Sequence, residues 1–272
     1  MIKNQGKEKM ILIEPISPIA FSIGPVIIRW YALAYVAAFV FGPWMFKNLN
    51  HSTGQEMSKK AMDDLLTYVI LGVILGGRLG YVLFYNLPFF LAHPLEMFAV
   101  WHGGMSFHGG LLGIMAAIFL FARKYKIKAF SIMDKLTVIA PVGLFFGRIA
   151  NFINMEVMGR ITDRPWGIVF AGSPDTLPRH PSPLYEAALE GILLFVIMLS
   201  LWRWTKLKNK TGALSGIFAV LYGVFRIFAE QFRQPDPQLG FLFGDWLTMG
   251  MVLSAAMIIA GAVVFAVAVR KK

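Results

Sequence analysis

The sequence predicts an all-α polytopic membrane protein with about seven transmembrane helices and a small external cap. Three observations support this fold class. Hydrophobic residues make up 57% of the 272 residues, charged residues make up 15%, and the mean hydropathy is +0.63, which excludes an ordinary soluble domain. The apolar residues are grouped into long segments. Most of the basic residues lie in the short loops between those segments.

Seven apolar segments are long enough to cross a membrane, because about twenty residues of helix span the hydrocarbon core. Residues 1–17 lack a compact apolar core followed by small residues, so we expect the first segment to be retained and not removed with a signal peptide. The seven predicted spans are residues 19–46, 65–87, 104–122, 132–153, 185–202, 212–232 and 245–269.

The loop charges predict the orientation of the chain. The loops that follow the first, third, fifth and seventh spans are rich in lysine and arginine, whereas residues 88–105 on the opposite side contain neither. Positively charged loops remain in the cytoplasm. We therefore expect the N-terminus outside and the C-terminus in the cytoplasm.

The longest segment between two spans is residues 154–183, in which glycine, proline and aspartate are spread. We expect this segment to form a small external cap, inserted between the fourth and fifth spans of a single integral membrane domain, residues 1–272. Its stretch RPWGIVF is compatible with a strand or with a loop.

Composition also excludes several kinds of chemistry. The chain has no cysteine, which rules out disulfides, a thiol nucleophile and thiolate metal sites. The net charge of +11 is scattered through short loops, as orientation signals are, so we expect no nucleic-acid partner. We expect no metal or cofactor, because the histidines lack paired carboxylate spacing on one face. These histidines are His51, His93, His102, His108 and His180.

Basic residues recur inside the predicted spans. Arg78, Arg148 and Arg226 lie 13 to 16 residues past the cytoplasmic starts of three spans, or roughly 20 to 24 Å deep at about 1.5 Å per residue. Arg29 and His108 reach a similar depth from the first and third spans. Charged groups at such depth face a partner, a cavity or the bundle interior.

Two explanations fit this layer of basic groups. Each arginine could pair internally with an acid. Alternatively, the layer could bind a shared anionic ligand such as a phospholipid headgroup, whose phosphate suits the planar guanidinium. We favour the shared ligand, because five basic groups at one depth are hard to satisfy internally. The candidate internal partners are Glu186, Glu190, Glu230 and Asp245.

The motif GRIANFINMEVMG, residues 147–159, places polar groups where lipid is expected. Arg148, Asn151 and Asn154 recur at every third residue and so form a stripe on one side of a helix. The stripe offers an arginine and two carboxamides to phosphate and hydroxyl oxygens. Glu156 and Gly159 then lie where the helix should end.

The motif HGGMSFHGGLLG, residues 102–113, contains five glycines. We expect them to break the helix, which at membrane depth is tolerated only where the backbone is buried in protein or lines a cavity. His108 lies among these glycines. It can serve as a base near neutral pH or donate a hydrogen bond in helix packing.

These motifs, with RHPSPLYE at residues 179–186 and YGVFRIFAEQFRQPD at residues 222–236, resemble the bacterial prolipoprotein diacylglyceryl transferase family. The resemblance runs from FSIGPVIIRWYALAY, residues 21–35, to the last span. The family signature G-R-x-[GA]-N-F-x-N-x-E-x-x-G is met in full by residues 147–159, and the family motif SFHGG is met by residues 106–110.

The resemblance implies a bacterial enzyme of the cytoplasmic (inner) membrane with its active site toward the outer leaflet. The implied reaction transfers the sn-1,2-diacylglyceryl group of phosphatidylglycerol to the thiol of the lipobox cysteine in a prolipoprotein signal peptide. It forms a thioether, releases glycerol phosphate and is the first step of lipoprotein maturation. The sulfur comes from the substrate, which fits a chain without cysteine.

The resemblance and the charge pattern together suggest roles for individual residues. Arg148 and Arg226 are candidates to hold the phosphate and to stabilise it as it leaves. His108 is the candidate base for the thiol, although a cationic layer that lowers the thiol pKa would serve the same purpose. Glu156 could alternatively form an ion pair that fixes the helix end. The implied residues for headgroup binding and its support are Tyr31, Gly109, Asn151, Asn154, Glu156, Gly159, Tyr222, Glu230 and Arg233.

A different class of protein stays open on the residues alone. A transporter or flippase for an anionic lipid would also carry arginines and interrupted helices inside its spans.

Overall fold

The fold is seen in a computed structural model that describes residues 2–3, 10–14, 16–52, 57–170, 175–235 and 240–270. The described chain is mostly helical. The α-helices are α1 Trp30–His51, α2 Lys59–Phe84, α3 Leu87–Ala92, α4 Phe107–Tyr125, α5 Ala129–Ile153, α6 Ser182–Glu186, α7 Leu194–Trp204, α8 Ala213–Glu230 and α9 Met249–Arg270. A π-helical segment, Ala187–Leu193, joins α6 to α7, so that Ser182–Trp204 is one continuous helix.

Short elements complete the architecture. The strands are β1 Ile2–Lys3, β2 Met10–Ile13, β3 Ile19–Ile23, β4 Val26–Arg29 and β5 Ile168–Phe170. Strand β2 pairs antiparallel with β1 and parallel with β5, in register from Ile11 opposite Ile168. The 3-10 helices are Pro94–Phe98, Val100–His102 and Lys206–Asn209.

Six helices in the described part of the chain are long and apolar enough to cross a membrane. They are α1, α2, α5, the continuous helix Ser182–Trp204, α8 and α9. This result confirms a polytopic helical membrane protein. The predicted third span is also a helix, the 19-residue α4, but it is not among the six. The count of seven and the orientation therefore stay predictions.

The predicted start of the first span is wrong. Residues 19–29 form the antiparallel hairpin of β3 and β4, and α1 begins at Trp30. The hairpin forms because β-branched and aromatic residues flank a turn at Gly24, whose φ of 57° is easily adopted by glycine. Arg29 consequently ends a strand instead of lying inside a helix.

The chain divides into two compact units. The first unit comprises residues 1–45 and 136–272, and the second comprises residues 46–135. In the first unit α8 packs closely on α9, because Gly216 faces Gly261 backbone to backbone. Its fully buried side chains include Leu194, Met198 and Leu214.

The second unit is built on the packing of α2 against α4. Side-chain oxygens of Ser58 and Ser106 cap the two helices by accepting hydrogen bonds from Ala61 N and Gly109 N, each at 3.2 Å. Between the helices the backbones touch along a row of glycines that leaves no room for a β-carbon. The row consists of Gly72, Gly76 and Gly80 on α2 and Gly109 and Gly113 on α4.

This packing corrects the interpretation of the glycine-rich motif. Gly103 and Gly104 lie in the loop between the 3-10 helix Val100–His102 and α4, at φ values of 82° and 79°. Gly109, Gly110 and Gly113 lie inside α4, where two of them provide the contact with α2. Helix propensity is overridden here, because close backbone approach between two helices requires residues without a side chain.

We expect Gly113→Ala to destabilise the second unit, because its new β-carbon would overlap the carbonyl oxygen of Gly72. Overpacking of this kind costs about 1–3 kcal/mol. Gly110→Ala is a matched control, since its β-carbon would meet nothing closer than Val73 O at 3.7 Å. The measurement is the melting temperature of each purified variant in detergent. Equal melting temperatures for the two variants would contradict the glycine contact.

Candidate active site

Charged side chains of the first unit converge at one place. Arg148, near the end of α5, directs Nη2 to Glu186 Oε2 at 2.8 Å and to Glu190 Oε2 at 3.2 Å. Arg226, on α8, directs Nη1 to the same Glu186 oxygen at 2.7 Å and Nη2 to Glu230 Oε2 at 2.9 Å. Arg233, just past α8, has Nη1 at 3.9 Å from Glu186 Oε2. We call these six residues the arginine–glutamate cluster.

The cluster is buried and electrically balanced. Its three guanidinium groups face three carboxylates, so its formal charge is zero. Removal of a carboxylate from water costs several kcal/mol, which close arginines must offset. The exposed side-chain fractions are 0% for Glu186, 0% for Glu190, 6% for Glu230, 18% for Arg148, 12% for Arg226 and 13% for Arg233.

Local structure places each acid in the cluster. The π-helical turn begins one residue after Glu186 and contains Glu190, and such wide turns are frequent at functional sites. Gly191 brings this turn against Phe145 of α5. The third acid, Glu230, is held by Thr248 Oγ1, which donates to its Oε1 at 3.0 Å. Glycine at position 250 makes room for the Glu230 carboxylate.

A second polar group surrounds Glu156, which follows the end of α5. Tyr31 OH donates to Glu156 Oε2 at 2.9 Å, and Asn151 Nδ2 donates to the same oxygen at 3.2 Å and also to Tyr31 OH. Asn154 Nδ2 reaches Glu156 Oε1 at 3.4 Å. The four predicted residues are therefore neighbours, and the donors that Glu156 meets among the described residues are neutral.

Gly159 lies where three backbone segments meet. It pairs with Arg233 in an isolated β-bridge, and its N–H donates to His180 O at 3.1 Å. The neighbouring Arg160 donates from its backbone to Phe232 O at 2.8 Å and from Nε to Arg233 O at 3.0 Å. The segment after α5 is thus fastened to the end of α8, which sets the position of Arg233.

The predicted cap contributes a strand and a histidine that lies against Tyr185. Residues 168–170, the last three of RPWGIVF, form β5, whereas the residues before them form a turn. Burial, and then the positive charge of Arg164, lower the pKa of His180 below its ordinary value, although Asp163 acts in the opposite direction. The neutral imidazole is thereby favoured, and its Nδ1 lies 3.1 Å from Tyr185 OH.

The hydrogen bond from Arg179 lowers the pKa of Asp175, which keeps that carboxylate charged. The two side chains form an ion pair with Nη2 at 2.6 Å from Oδ2.

Other predicted residues are placed less directly. Tyr222 lies on α8, one turn before Arg226, and interacts electrostatically with the cluster. His108 and Gly109 belong to the second unit, where His108 is exposed in the first turn of α4 and Gly109 packs against α2. Their place in a substrate site stays a prediction.

Arg78 has a structural role. It is buried among backbone oxygens in the second unit and fixes the loop that leads to α4. Its donors reach the carbonyl oxygens of Glu96, Met97, Ala99, Gly103 and Gly104.

The cluster arginines also have internal partners, namely Glu186, Glu190 and Glu230. The fourth predicted partner, Asp245, is exposed. Within the described residues no three His, Cys, Asp or Glu side chains are grouped as metal ligands.

Comparison with known proteins assigns the family. A family model described as "Prolipoprotein diacylglyceryl transferase" matches residues 18–267. The chain belongs to this family. The chain is similar to proteins named phosphatidylglycerol–prolipoprotein diacylglyceryl transferase. The relative from Azospirillum brasilense is 51% identical over 94% of this chain and 96% of its own length. The relative from Rhodospirillum rubrum is 53% identical over 94% of each chain.

The family signature contributes only part of the arginine–glutamate cluster. The sequence suggests Glu186 and Glu190 only as internal partners, and it does not point to Arg160. Two glutamates four residues apart inside a span are a usable signal, because acids at this depth usually face a partner or a cavity. The π-helical turn that orients them leaves no comparable mark in the sequence.

We expect Gly159→Ala to destabilise this family member and to abolish its activity. A β-carbon there would overlap His180 O and approach Phe232 O to 2.6 Å, and backbone atoms cannot move aside cheaply. Gly147→Ala should keep the melting temperature, because a β-carbon at that position meets nothing within 4 Å. Thermal unfolding in detergent compares the stability of the two variants, and a peptide-modification assay compares their activity. A stable Gly159→Ala protein would show that the three segments do not need this contact.

Proposed function

We propose that this protein transfers the diacylglyceryl group of phosphatidylglycerol to the lipobox cysteine of prolipoproteins, the first step of lipoprotein maturation. The observation that carries the proposal is the arginine–glutamate cluster, which lies in a member of the diacylglyceryl transferase family. The relatives are named for this reaction. Family membership favours the transferase over a lipid transporter, which the polar groups alone would also fit.

The phosphate of the lipid is the group that the cluster would recognise. Arg148 is the most exposed of the three cluster arginines, and its carboxylate contacts all use Nη2. Its Nη1 and Nε can therefore approach a phosphate from the other edge, with Arg226 as the second cation. Both arginines would stabilise the negative charge that grows on the departing glycerol phosphate as the carbon–oxygen bond breaks.

The attacking sulfur comes from the substrate peptide. The cysteine must lose its proton, because the thiolate is the nucleophile. Its sulfur then bonds to the glycerol carbon that carried the phosphate, and glycerol phosphate leaves with the electron pair of the broken bond. His108 is our candidate for the base that takes the thiol proton, and arginines that lower the thiol pKa are the alternative.

The remaining predicted residues would bind or support the headgroup. The group of Tyr31, Asn151, Asn154 and Glu156 offers hydroxyl and amide contacts suited to the terminal glycerol. Glu230 and Arg233 belong to the cluster, Gly159 pairs with Arg233, and Tyr222 lies one turn before Arg226 on α8. We place Gly109 at the contact that sets the start of α4.

We also propose the topology that this chemistry requires. The protein lies in the bacterial cytoplasmic membrane with seven spans, the N-terminus outside and the C-terminus inside. Residues 154–183 cap the active site of the single membrane domain on its outer side. The site opens to the outer leaflet, where phosphatidylglycerol and signal peptides meet. The reaction needs no cofactor, because substrate sulfur and lipid supply both reacting groups.

We expect purified protein in phosphatidylglycerol micelles to add a diacylglyceryl mass to a lipobox peptide with cysteine, and not to the serine peptide. Arg148→Ala should lower the rate at least about 100-fold, the usual effect of the loss of one donor to a developing anion. Mass spectrometry of the peptide and assay of glycerol phosphate give the two products.

Arg123→Ala is the control for charge loss, since this arginine is exposed at the end of α4. Arg148→Lys tests whether charge alone suffices. A folded wild-type protein that modifies no peptide would overturn the transferase, and lipid scrambling by that protein would then favour the transporter.

We expect His108→Gln to lower the rate by about two to four orders of magnitude, as the loss of a general base does. His102→Gln, in the preceding loop, is the matched control and should keep the wild-type rate. Both variants should keep the melting temperature of the wild type. A folded His108→Gln protein that keeps the wild-type rate would transfer the activation of the thiol to the arginines.

A further inference from the structure

Glu190 is the least compensated acid of the arginine–glutamate cluster. Glu186 Oε2 has Arg148 and Arg226 within 2.8 Å, and Glu230 has Arg226 at 2.9 Å and a hydroxyl at 3.0 Å. Glu190 has Arg148 at 3.2 Å, whereas Arg226 is 3.8 Å from its Oε1. That Oε1, like Glu186 Oε1, is buried and accepts no hydrogen bond from the described residues, so the longer distances to the arginines distinguish Glu190.

An arriving phospholipid phosphate disturbs the charge balance of this cluster. Three arginines already face three glutamates, so a phosphodiester with one negative charge would leave the site with a net negative charge. In a medium of low dielectric such an excess charge is expensive. The cost disappears if one glutamate takes up a proton, and the glutamate with the weakest contacts gives up its charge most readily.

We propose that Glu190 takes up one proton when the phosphate binds, and that this exchange couples headgroup binding to pH. The protonated carboxyl releases its hold on Arg148, which turns toward the phosphate oxygens. The net charge of the cluster together with its ligand then stays at zero. This inference rests on the proposed function, because it takes the phosphate to be that of phosphatidylglycerol.

The charged and titratable groups around Glu190 favour this assignment. From α5 it faces Arg148, and from α8 it faces Arg226 and Tyr222. Glu186, one turn earlier on its own helix, shares both arginines. The phosphate competes with Glu190 for the same guanidinium groups, so neutralisation of Glu190 is the change that frees donors without loss of a cation.

The exchange would also select the lipid. An anionic headgroup offers oxygens to the freed arginine edge and restores neutrality after proton uptake. A zwitterionic headgroup has no net charge, so its binding drives no proton uptake, and its phosphate has to compete with a charged Glu190 for Arg148. Glu190 is therefore a specificity-determining residue as well as a proton carrier.

The test measures protons directly during lipid binding. Phosphatidylglycerol in detergent micelles is titrated into the full-length protein by calorimetry, in buffers of different ionisation enthalpy, between pH 6 and pH 8. The wild type should take up about one proton per lipid. Its affinity for the lipid should then fall about tenfold for each unit by which the pH is raised. Glu190→Gln should take up about none and should bind at least about tenfold more tightly than the wild type at pH 8.

Glu96→Gln is the matched control, because this glutamate pairs with His102 in the second unit. It should keep both the proton and the affinity. A wild type that binds phosphatidylglycerol without proton uptake would overturn the inference whatever the variants do. Weaker binding by folded Glu190→Gln would equally overturn it and leave Glu190 as a structural partner.

The peptide-modification assay separates this inference from the function. If the wild type modifies the peptide but takes up no proton when it binds lipid, the transferase function stands and only the role of Glu190 is rejected. Absence of transfer and of phosphatidylglycerol binding rejects both.

Discussion

Burial of six charged side chains is the constraint on which the first unit depends. Each carboxylate of the arginine–glutamate cluster would cost several kcal/mol without its cations, and loss of one partner from such a pair typically costs about 3–5 kcal/mol. Helices α5 and α8 and the π-helical segment must therefore stay where the pairs form. The wide π-helical turn and the small residues at 191 and 250 follow from the same requirement, because they let carboxylates and backbones approach.

Polar contacts outside the cluster fix the ends of the helices that carry it. Arg160 donates to backbone oxygens at the end of α8, and Gly159 pairs with Arg233 there. Glu156 collects donors from Tyr31 and Asn151 at the end of α5. These residues thus connect the arginine–glutamate cluster, the end of α5 and the cap segment.

Hydropathy predicted the helices well, because a bilayer requires nearly every span to be a long apolar helix. It failed at residues 19–29, where apolar and β-branched residues flank a glycine turn, so that length alone favoured a span. The glycines of α4 were misjudged for a related reason. Glycine weakens an isolated helix, yet against the glycines of α2 it permits a contact that no other residue allows.

The candidate site was predicted through its motif residues, since Arg148, Asn151, Asn154, Glu156 and Gly159 lie in one recognisable stretch. Its pairing was not predictable, because the partners are distant in the sequence and pairing depends on the π-helical turn. For Arg78 the sequence favours a structural role over substrate contact, but it does not show which groups the arginine binds. The stretches GGRLG and FGRIA look alike, yet the first arginine meets carbonyl oxygens and the second meets carboxylates.

This difference in partners bears on what each arginine can do. Backbone carbonyls are fixed, so an arginine that donates to five of them holds a loop and has nothing to exchange. A carboxylate, like a phosphate, offers two oxygens to one guanidinium and can lose its charge to a proton, so its arginine can change partner. Internal pairing and anion binding are thus not competing explanations for Arg148 and Arg226. The glutamates keep the guanidinium groups ordered in a buried place until the phosphate that we propose arrives to replace one of them.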